Sequence, residues 1–573
     1  MNILTTNNSE VMKLCRSVEL SDKKLGSFRS RRVEFMQHFA GPYYGIGTID
    51  GDNWRVPLNL IFSLASTLEP SLAMRRVQAG VSTAEIGLRS FGDRLRLVLD
   101  YVSRKIKLAG SIREAVRDSF YGIGITKTYF DGTSALPDVQ AISLDGYIID
   151  HRAKLRKPGS FAYEGHRFRM NFEEAMANSD MFDKGARDML ESLKARAFDN
   201  RNRASALSGQ GYEDDEYDEQ IELIELFLPR RNSLVWLAGD LSDVTRYVRE
   251  FDNNGDESGP FDVLGYNWLN DNPMPVPVMA TIFDLYLLEN ILASKVGRQA
   301  QNQKDIGLVD TADPTIARAV KDAVDGDVIH AQGLKGTMLS FGGANEKGYA
   351  AVGWFQEWFN RVAGNPDVIG GLTSRAKTLG QEQMLAGNAS IRIGDMRGFV
   401  YELAENIIRK LARYVWDDPF LRVPLGSKRV GEWDFPLLWE PDEREGRLSD
   451  YDFNITAYSR QSDTPEEKYG RLVDLMQKVI LPLAQLGLPM GQHLDIDVLT
   501  NVAGKLQDIT EIEDLWIEGE PIAPTGGQPG MPGEQQEAGR RSPGGQQSNV
   551  IGEMAAAAAA ASGGGENAFN VEG

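Results

Sequence analysis

Apolar residues recur at helical spacing over three stretches near the start of the chain. These stretches cover residues 9–40, residues 56–76 and residues 83–121. The second stretch begins at a proline and is predicted to break near Pro70, because proline removes a backbone donor from a helix. The third is predicted to be one long helix or two. Its helical stripe consists of Leu95, Val98, Leu99, Val102 and Ile106.

The pattern then becomes typical of strands. Ile123–Phe130 is rich in β-branched and aromatic residues, and Asp131-Gly132 follows as a turn signal. Val139–Ile149 and Ile221–Leu228 have a similar composition. The sequence therefore predicts a β-rich section between helical ones, which makes the fold class α+β and predominantly helical.

Helical patterns return in the middle of the chain, after the breaker Pro273–Pro277. The predicted order is a helix over Val278–Gln303, a mixed segment over 304–345, a helix over Tyr349–Ala363, a Gly- and Pro-containing interruption and a long helix over Ser374–Trp416.

The C-terminal part is predicted to contain short elements and then a low-complexity tail. Trp433–Trp439 and Asp452–Tyr458 are strand candidates, and Thr464 with Pro465 opens a helix. From about Pro521 the chain consists largely of Gly, Pro, Gln, Ser and Ala. Such a segment buries too little apolar area to offset the entropy of ordering, so we expect it to be disordered in isolation.

Composition narrows the function classes. The single cysteine, Cys15, excludes an intrachain disulfide and favours a reducing compartment. Neither a signal peptide nor a long apolar run is evident, so we expect no membrane span. The formal net charge of −20 argues against binding of nucleic acid over a broad surface.

Motifs of known chemistry are absent from the sequence. It contains no Walker A, HExxH, CxxC or GxSxG pattern. Asp252, Asn254 and Asp256 have the spacing of a calcium loop, but Glu257 replaces the required glycine, which favours a polar turn. The five histidines are scattered, and we predict no metal site and no cofactor.

The order of elements resembles that of the portal protein family of tailed bacteriophages. The stretch VQAISLDGYIID at 139–150 precedes RAKLRKPG at 152–159 and NFEEAMA at 171–177, as in the strand pair and proline-containing segment of portals. The helix, mixed segment, helix, loop and long helix over 278–416 also resemble the portal order. The resemblance covers roughly residues 30–515 and is one of pattern, since portals have no short invariant signature.

The resemblance implies a portal fold with wing, stem, clip and crown regions. The implied regions are an N-terminal wing at 1–272, a descending stem helix at 273–303, a clip at 304–345, a returning stem helix at 346–363, a channel loop at 364–373, a long helix with C-terminal wing strands at 374–460, crown helices at 461–520 and a disordered tail at 521–573.

The same resemblance implies a non-enzymatic subunit of a homo-oligomeric ring, most often a dodecamer, at one capsid vertex. Its implied partners are the terminase packaging motor, head–tail adaptor proteins, the major capsid protein and the double-stranded DNA that passes through the channel. Its implied location is the virion, with host cytoplasm during assembly. The excess of acidic over basic residues suits a channel that repels the DNA backbone over most of its length.

Four residues are candidates for contact with DNA in the implied channel loop. Asn365 can donate a hydrogen bond to a phosphate, and Asp367 lies in the same Gly- and Pro-rich turn. Arg375 and Lys377 follow with positive charge. An ordinary interhelical turn at the surface remains an alternative for this segment. Two alternatives remain for the whole chain, namely another structural virion protein, such as a scaffold or minor capsid component, and a carboxylate-based enzyme.

Overall fold

The computed structural model divides the chain into two compact units, Met1–Asp463 and Thr464–Gly573, and the described residues all lie in the first. Predictions for 461–520 and 521–573 therefore lie outside the described residues. The description covers 8–41, 58–74, 76–131, 136–153, 160–177, 220–238, 247–301, 304–309, 336–341, 346–364, 379–430, 433–455 and the isolated positions 315, 318, 319, 322 and 366.

Four helices form the N-terminal part. The predicted third stretch is two helices, because Lys107, the residue before the second of them, adopts a left-handed conformation with φ of 53°. The second helix is shorter than the predicted 56–76. It begins after Asn59, whose Oδ1 accepts a hydrogen bond from Phe62 N at 3.0 Å, and it keeps Pro70 in its last turn. The bounds are α1 Asn8–Ala40, α2 Leu60–Leu72, α3 Arg89–Lys105 and α4 Leu108–Tyr121.

Eight strands follow β1 and build two antiparallel sheets. The order is β3-β2-β9 in the three-stranded sheet and β4-β5-β6-β7-β8 in the five-stranded sheet. A short helix, α5 (Phe172–Ala177), follows β5. The strand bounds are β1 Ala79–Ser82, β2 Gly124–Asp131, β3 Leu136–Ile142, β4 Tyr147–Ile149, β5 Glu164–Asn171, β6 Gln220–Leu228, β7 Ser233–Ala238, β8 Tyr247–Asp252 and β9 Phe261–Leu264.

The single strand expected over Val139–Ile149 is wrong. A turn at Ser143–Gly146 interrupts it, with Gly146 N donating to Ser143 O at 3.1 Å. The residues before the turn belong to β3 and those after it to β4, so they lie in different sheets. Of the strands named so far, β1, β5, β7, β8 and β9 were not predicted from the sequence.

The remaining elements complete the fold in the C-terminal half. Strand β14 pairs antiparallel with β1, with Ala79 opposite Ile455, and so joins the last described strand to the first. The bounds are α6 Val278–Gln301, β10 Lys304–Val309, β11 Gly336–Phe341, α7 Glu346–Ala363, α8 Leu379–Asp417, β12 Val423–Val430, β13 Trp433–Trp439 and β14 Asp452–Ile455.

The largest apolar core is helical. It joins α2, α3 and α4 to the first half of α6 and to the second half of α8, which contributes Val400, Leu403, Ile407 and Leu411. A smaller core between the sheets contains Ile125, Tyr147 and Phe227. The architecture is therefore mixed α+β, as the sequence predicted at the level of fold class.

Candidate assembly surface

A helical arm, defined as α6, β10, β11 and α7, occupies the middle of the described chain. The two strands lie between α6 and α7 along the chain and pair antiparallel, with Lys304 opposite Phe341. The two helices contact each other. Their approach is close, because a Cβ on Gly348 would lie 3.0 Å from Val296 Cγ2.

Large apolar side chains are exposed on both helices of the arm. Trp354 and Trp358 are 53% and 40% exposed and lie one turn apart on α7, with ring centroids separated by 5.7 Å. Leu288 and Ile291 on α6 are also exposed, and so is Tyr349 on α7, which its spacing places on the opposite side of the helix from Trp358. Aromatic side chains carry large apolar areas and dominate protein interfaces, so these exposed side chains, called here the apolar arm surface, are candidates for contact with another molecule.

Two polar side chains in the middle of α6 are fully buried. Asn290 is fully buried and satisfied, since its Oδ1 accepts from Leu58 N at 3.1 Å and its Nδ2 donates to Tyr286 O at 3.0 Å. Glu289 is equally buried, but neither of its carboxylate oxygens has a hydrogen-bond partner among the described residues. Burial without a partner disfavours the ionised form and raises the pKa of Glu289 to about 7.

The C-terminal end of α7 is held by α8. Gly364 closes the helix with φ of +90°, which favours glycine. The side chain of Arg392 on α8 lies against Gly364 and donates from Nη1 to Val362 O at 2.8 Å. The sequence did not indicate Arg392, because nothing in a helical pattern shows which side chain will meet the end of another helix.

The four predicted DNA contacts lie outside the described residues. Asn365, Asp367, Arg375 and Lys377 all fall in the segment between Gly364 and α8. Of that segment only Pro366 is described, and it is buried. The role of these four residues stays a prediction.

A second polar cluster joins the two sheets. Lys127 Nζ of β2 lies 2.7 Å from Glu225 Oε1 of β6, and Glu225 Oε2 accepts from Trp236 Nε1 at 3.0 Å. His166 of β5 lies nearby, and burial together with the Lys127 charge lowers its pKa to about 3. A neutral histidine and a paired carboxylate fit a structural role, because each charge in the cluster is compensated.

A cavity beside β9 is lined by two carboxylates. Its volume is about 370 Å³, and Asp262, Trp268, Phe399 and Glu402 are among the residues that line it. Asp262 forms an ion pair with Lys410 at 2.8 Å, and Glu402 is exposed. The Lys410 partner fits a structural role for Asp262, because it compensates the buried charge.

The calcium-like spacing is a polar turn. Asp256 Oδ1 accepts from Ser258 N at 2.8 Å, and Asn253 Nδ2 donates to Asp256 O at 2.8 Å. Among the residues that the structure describes, no group of three or more His, Cys, Asp or Glu side chains is placed to hold a metal ion.

Comparison with known proteins adds no identification. The chain matches no known protein-family profile, and no curated protein matches it. No helix in the described part of the chain is both long and apolar enough to cross a membrane.

Proposed function

We propose that the chain is the subunit of a portal ring, through which double-stranded DNA enters and leaves a phage capsid. The exposed apolar surface of the helical arm carries this proposal. This helix pair exposes two tryptophans, a tyrosine, a leucine and an isoleucine to water. Burial of these side chains in an interface lowers the free energy. In a ring, a neighbouring copy of the same chain buries these side chains.

The order of elements supports the same proposal. A helix, a compact strand pair, a returning helix and a long helix follow one another over 278–417, in the order that the portal resemblance implies. The strand pair lies at the end of the arm's two helices. In the proposed ring the segment 304–345 is the clip, to which the packaging motor and later the tail adaptors attach.

The interfaces of such a ring are heterologous, because a head-to-tail contact closes into a ring when the rotation per subunit divides a full turn. The apolar arm surface of one copy therefore meets a different surface of the next.

The proposed partners outside the ring are the terminase motor, the head–tail adaptors, the major capsid protein and the DNA. The proposed location is the portal vertex of the virion.

The mass and shape of the purified full chain test the proposal. We expect a closed ring with a central hole in negative-stain images and a mass that is a multiple of 63.5 kDa, with twelve copies as the expected number. Only monomer or dimer across protein and salt concentrations would contradict it. A closed shell or a fibre would instead support a different structural virion protein.

A pair of variants tests whether the apolar arm surface closes the ring. The double substitution Trp354→Ser and Trp358→Ser is expected to lower the ring fraction at least tenfold at equal concentration, because buried interface tryptophans contribute strongly to binding. The matched control is Ile86→Ser with Phe420→Ser, which removes two side chains that are 78% and 87% exposed. Unchanged circular dichroism in both variants separates lost assembly from lost folding. Equal loss of rings in both would contradict the assignment.

A further inference from the structure

A strip of positive charge follows α3 in this strongly acidic chain. Arg89, Arg96 and Arg104 recur on α3 at intervals of seven and eight residues, and Lys107 follows in the junction to α4. These intervals place the residues along one side of the helix. Arg76 belongs to the same basic strip, because its charge, like those of Arg96 and Arg104, acts on Asp100.

The cations of the basic strip have no salt bridge with the described residues. The nearby exposed pair on α4 is different, because Arg113 and Arg117 both bind Glu69, with N···O distances of 2.7 and 2.8 Å. Within the strip, Arg104 Nε donates only to the backbone oxygen of Asp100, at 3.2 Å. The strip therefore presents guanidinium groups that are available to an outside anion, whereas α4 does not.

Two carboxylates lie on the same side of α3, but they do not neutralise the strip. Asp100 Oδ1 is occupied by Ala79 N at 2.8 Å, and Asp93 is exposed without an ion pair in the described part of the chain. Five cations therefore face two carboxylates. Arg104 lies in the last turn of α3, where a positive charge interacts favourably with the helix dipole. This interaction does not explain the positive charges of Arg76, Arg89 and Arg96, which lie outside that turn.

The junction between the helices adds backbone donors at the same place. The N-cap residue of α4, Lys107, makes no capping hydrogen bond with its own side chain, and the first N–H groups of the helix start beside it. Gly110 in this first turn has open space where a side chain would stand, although its own N–H donates to Lys107 O at 2.8 Å. An uncapped helix N-terminus attracts anions, and here it lies next to the cations of the strip.

We propose that the basic strip binds the phosphate backbone of double-stranded DNA. From Arg89 to Lys107 the strip extends over about 27 Å at 1.5 Å per helical residue, which suits a row of phosphates better than a single one. Arginine also favours phosphate through paired N–H donors. The proposal concerns a surface outside the predicted channel loop and does not depend on ring formation.

Binding of a labelled duplex DNA to the full chain, followed by fluorescence anisotropy over a range of salt, tests this. The triple substitution of Arg96, Arg104 and Lys107 by glutamine is expected to weaken binding at least tenfold. It should also lower the slope of log K against log salt by about 3, one for each lost phosphate contact. The matched control replaces Lys23, Arg31 and Arg413 by glutamine, which changes the net charge equally at exposed cations that already have carboxylate partners.

Three outcomes would overturn the proposal. These are absence of DNA binding by the wild type at low salt, equal weakening in the strip variant and the control, and equally tight binding of poly-glutamate, which would indicate an acidic protein partner instead. The oligomeric mass of each variant is measured in parallel. Failure of ring formation and failure of DNA binding by the strip are therefore separate results.

Discussion

At the scale of single residues, the least compensated group in the described chain is the Glu289 carboxyl. The buried side of α6 begins with Met279, Ile282 and Phe283 and continues into Glu289 and Asn290. Asn290 finds two backbone partners there, but Glu289 finds none. A buried charge without a partner costs free energy, so Glu289 is protonated in the folded chain at pH values where it ionises in the unfolded one.

The substitution Glu289→Gln is expected to stabilise the chain at pH 8 by about 1–2 kcal/mol, a figure reduced for residual solvent screening. Because folding raises the pKa of Glu289 from 4.5 to about 7, its contribution to stability falls as the pH rises through that interval and is constant above it. Urea unfolding at pH 4, 6 and 8 measures this. At pH 4 the variant and the wild type should differ little, and a gain that is the same at all three values would contradict the assignment.

The sequence could not indicate Glu289, because a helical stripe that mixes apolar and polar positions is ordinary at a boundary between core and surface. The same limit applies to Lys127 and Glu225, which are distant along the chain and meet only because β2 and β6 belong to adjacent sheets. Cys15 shows the opposite case. Its burial follows from the apolar spacing of Val11, Cys15 and Val18 on α1, which was visible in the sequence.

At the scale of elements, helices were predicted better than strands. The stripes of α3, α7 and α8 extend over several turns, so chance matches are few. The strand β5 has the sequence EGHRFRMN, with little apolar content, and it was missed. It is a strand because β4 and β6 both pair with it, which is information that no local pattern contains.

The contact between α4 and β2 depends on one glycine, and this gives a prediction at the element scale. A Cβ on Gly124 would lie 2.1 Å from the backbone oxygen of Ala115, so Gly124→Ala must separate helix and strand. We expect a loss of about 2–3 kcal/mol in the free energy of unfolding, since neither backbone can move aside cheaply. Denaturant unfolding measures the change.

The control for that experiment is Gly110→Ala in the first turn of α4. Apart from the backbone of its own helix and the adjacent residues, no atom of the described chain lies within 4 Å of the added methyl group, and alanine favours a helix by about 0.5–1 kcal/mol over glycine. The two substitutions are chemically identical and differ only in their surroundings. If both were neutral, the close approach of α4 to β2 would be absent in solution.

At the scale of the whole molecule, charge is distributed unevenly. The chain carries a formal charge of −20, yet α3 presents cations that are not paired with the described residues. Overall repulsion and local attraction are compatible, because at physiological salt an exposed charge acts over about 8 Å. The negative net charge therefore disfavours binding of nucleic acid over a broad surface, but it is compatible with DNA contact at the basic strip.

The division into two units predicts where the chain can be shortened. A chain that ends at Asp463 keeps every described element, so we expect it to unfold cooperatively with a midpoint near that of the full chain's first transition. A chain that ends at Ser449 loses β14 and Tyr451, which is buried against the rings of Phe91 and Trp416. Its free energy of unfolding should fall by about 3–5 kcal/mol for the lost aromatic core residue, with a further loss from the unpaired β1. Urea titrations followed by circular dichroism compare the two chains. Equal stability of both would mean that the pairing of β1 with β14 does not close the first unit, whereas unfolding of the longer chain would place part of its core beyond Asp463.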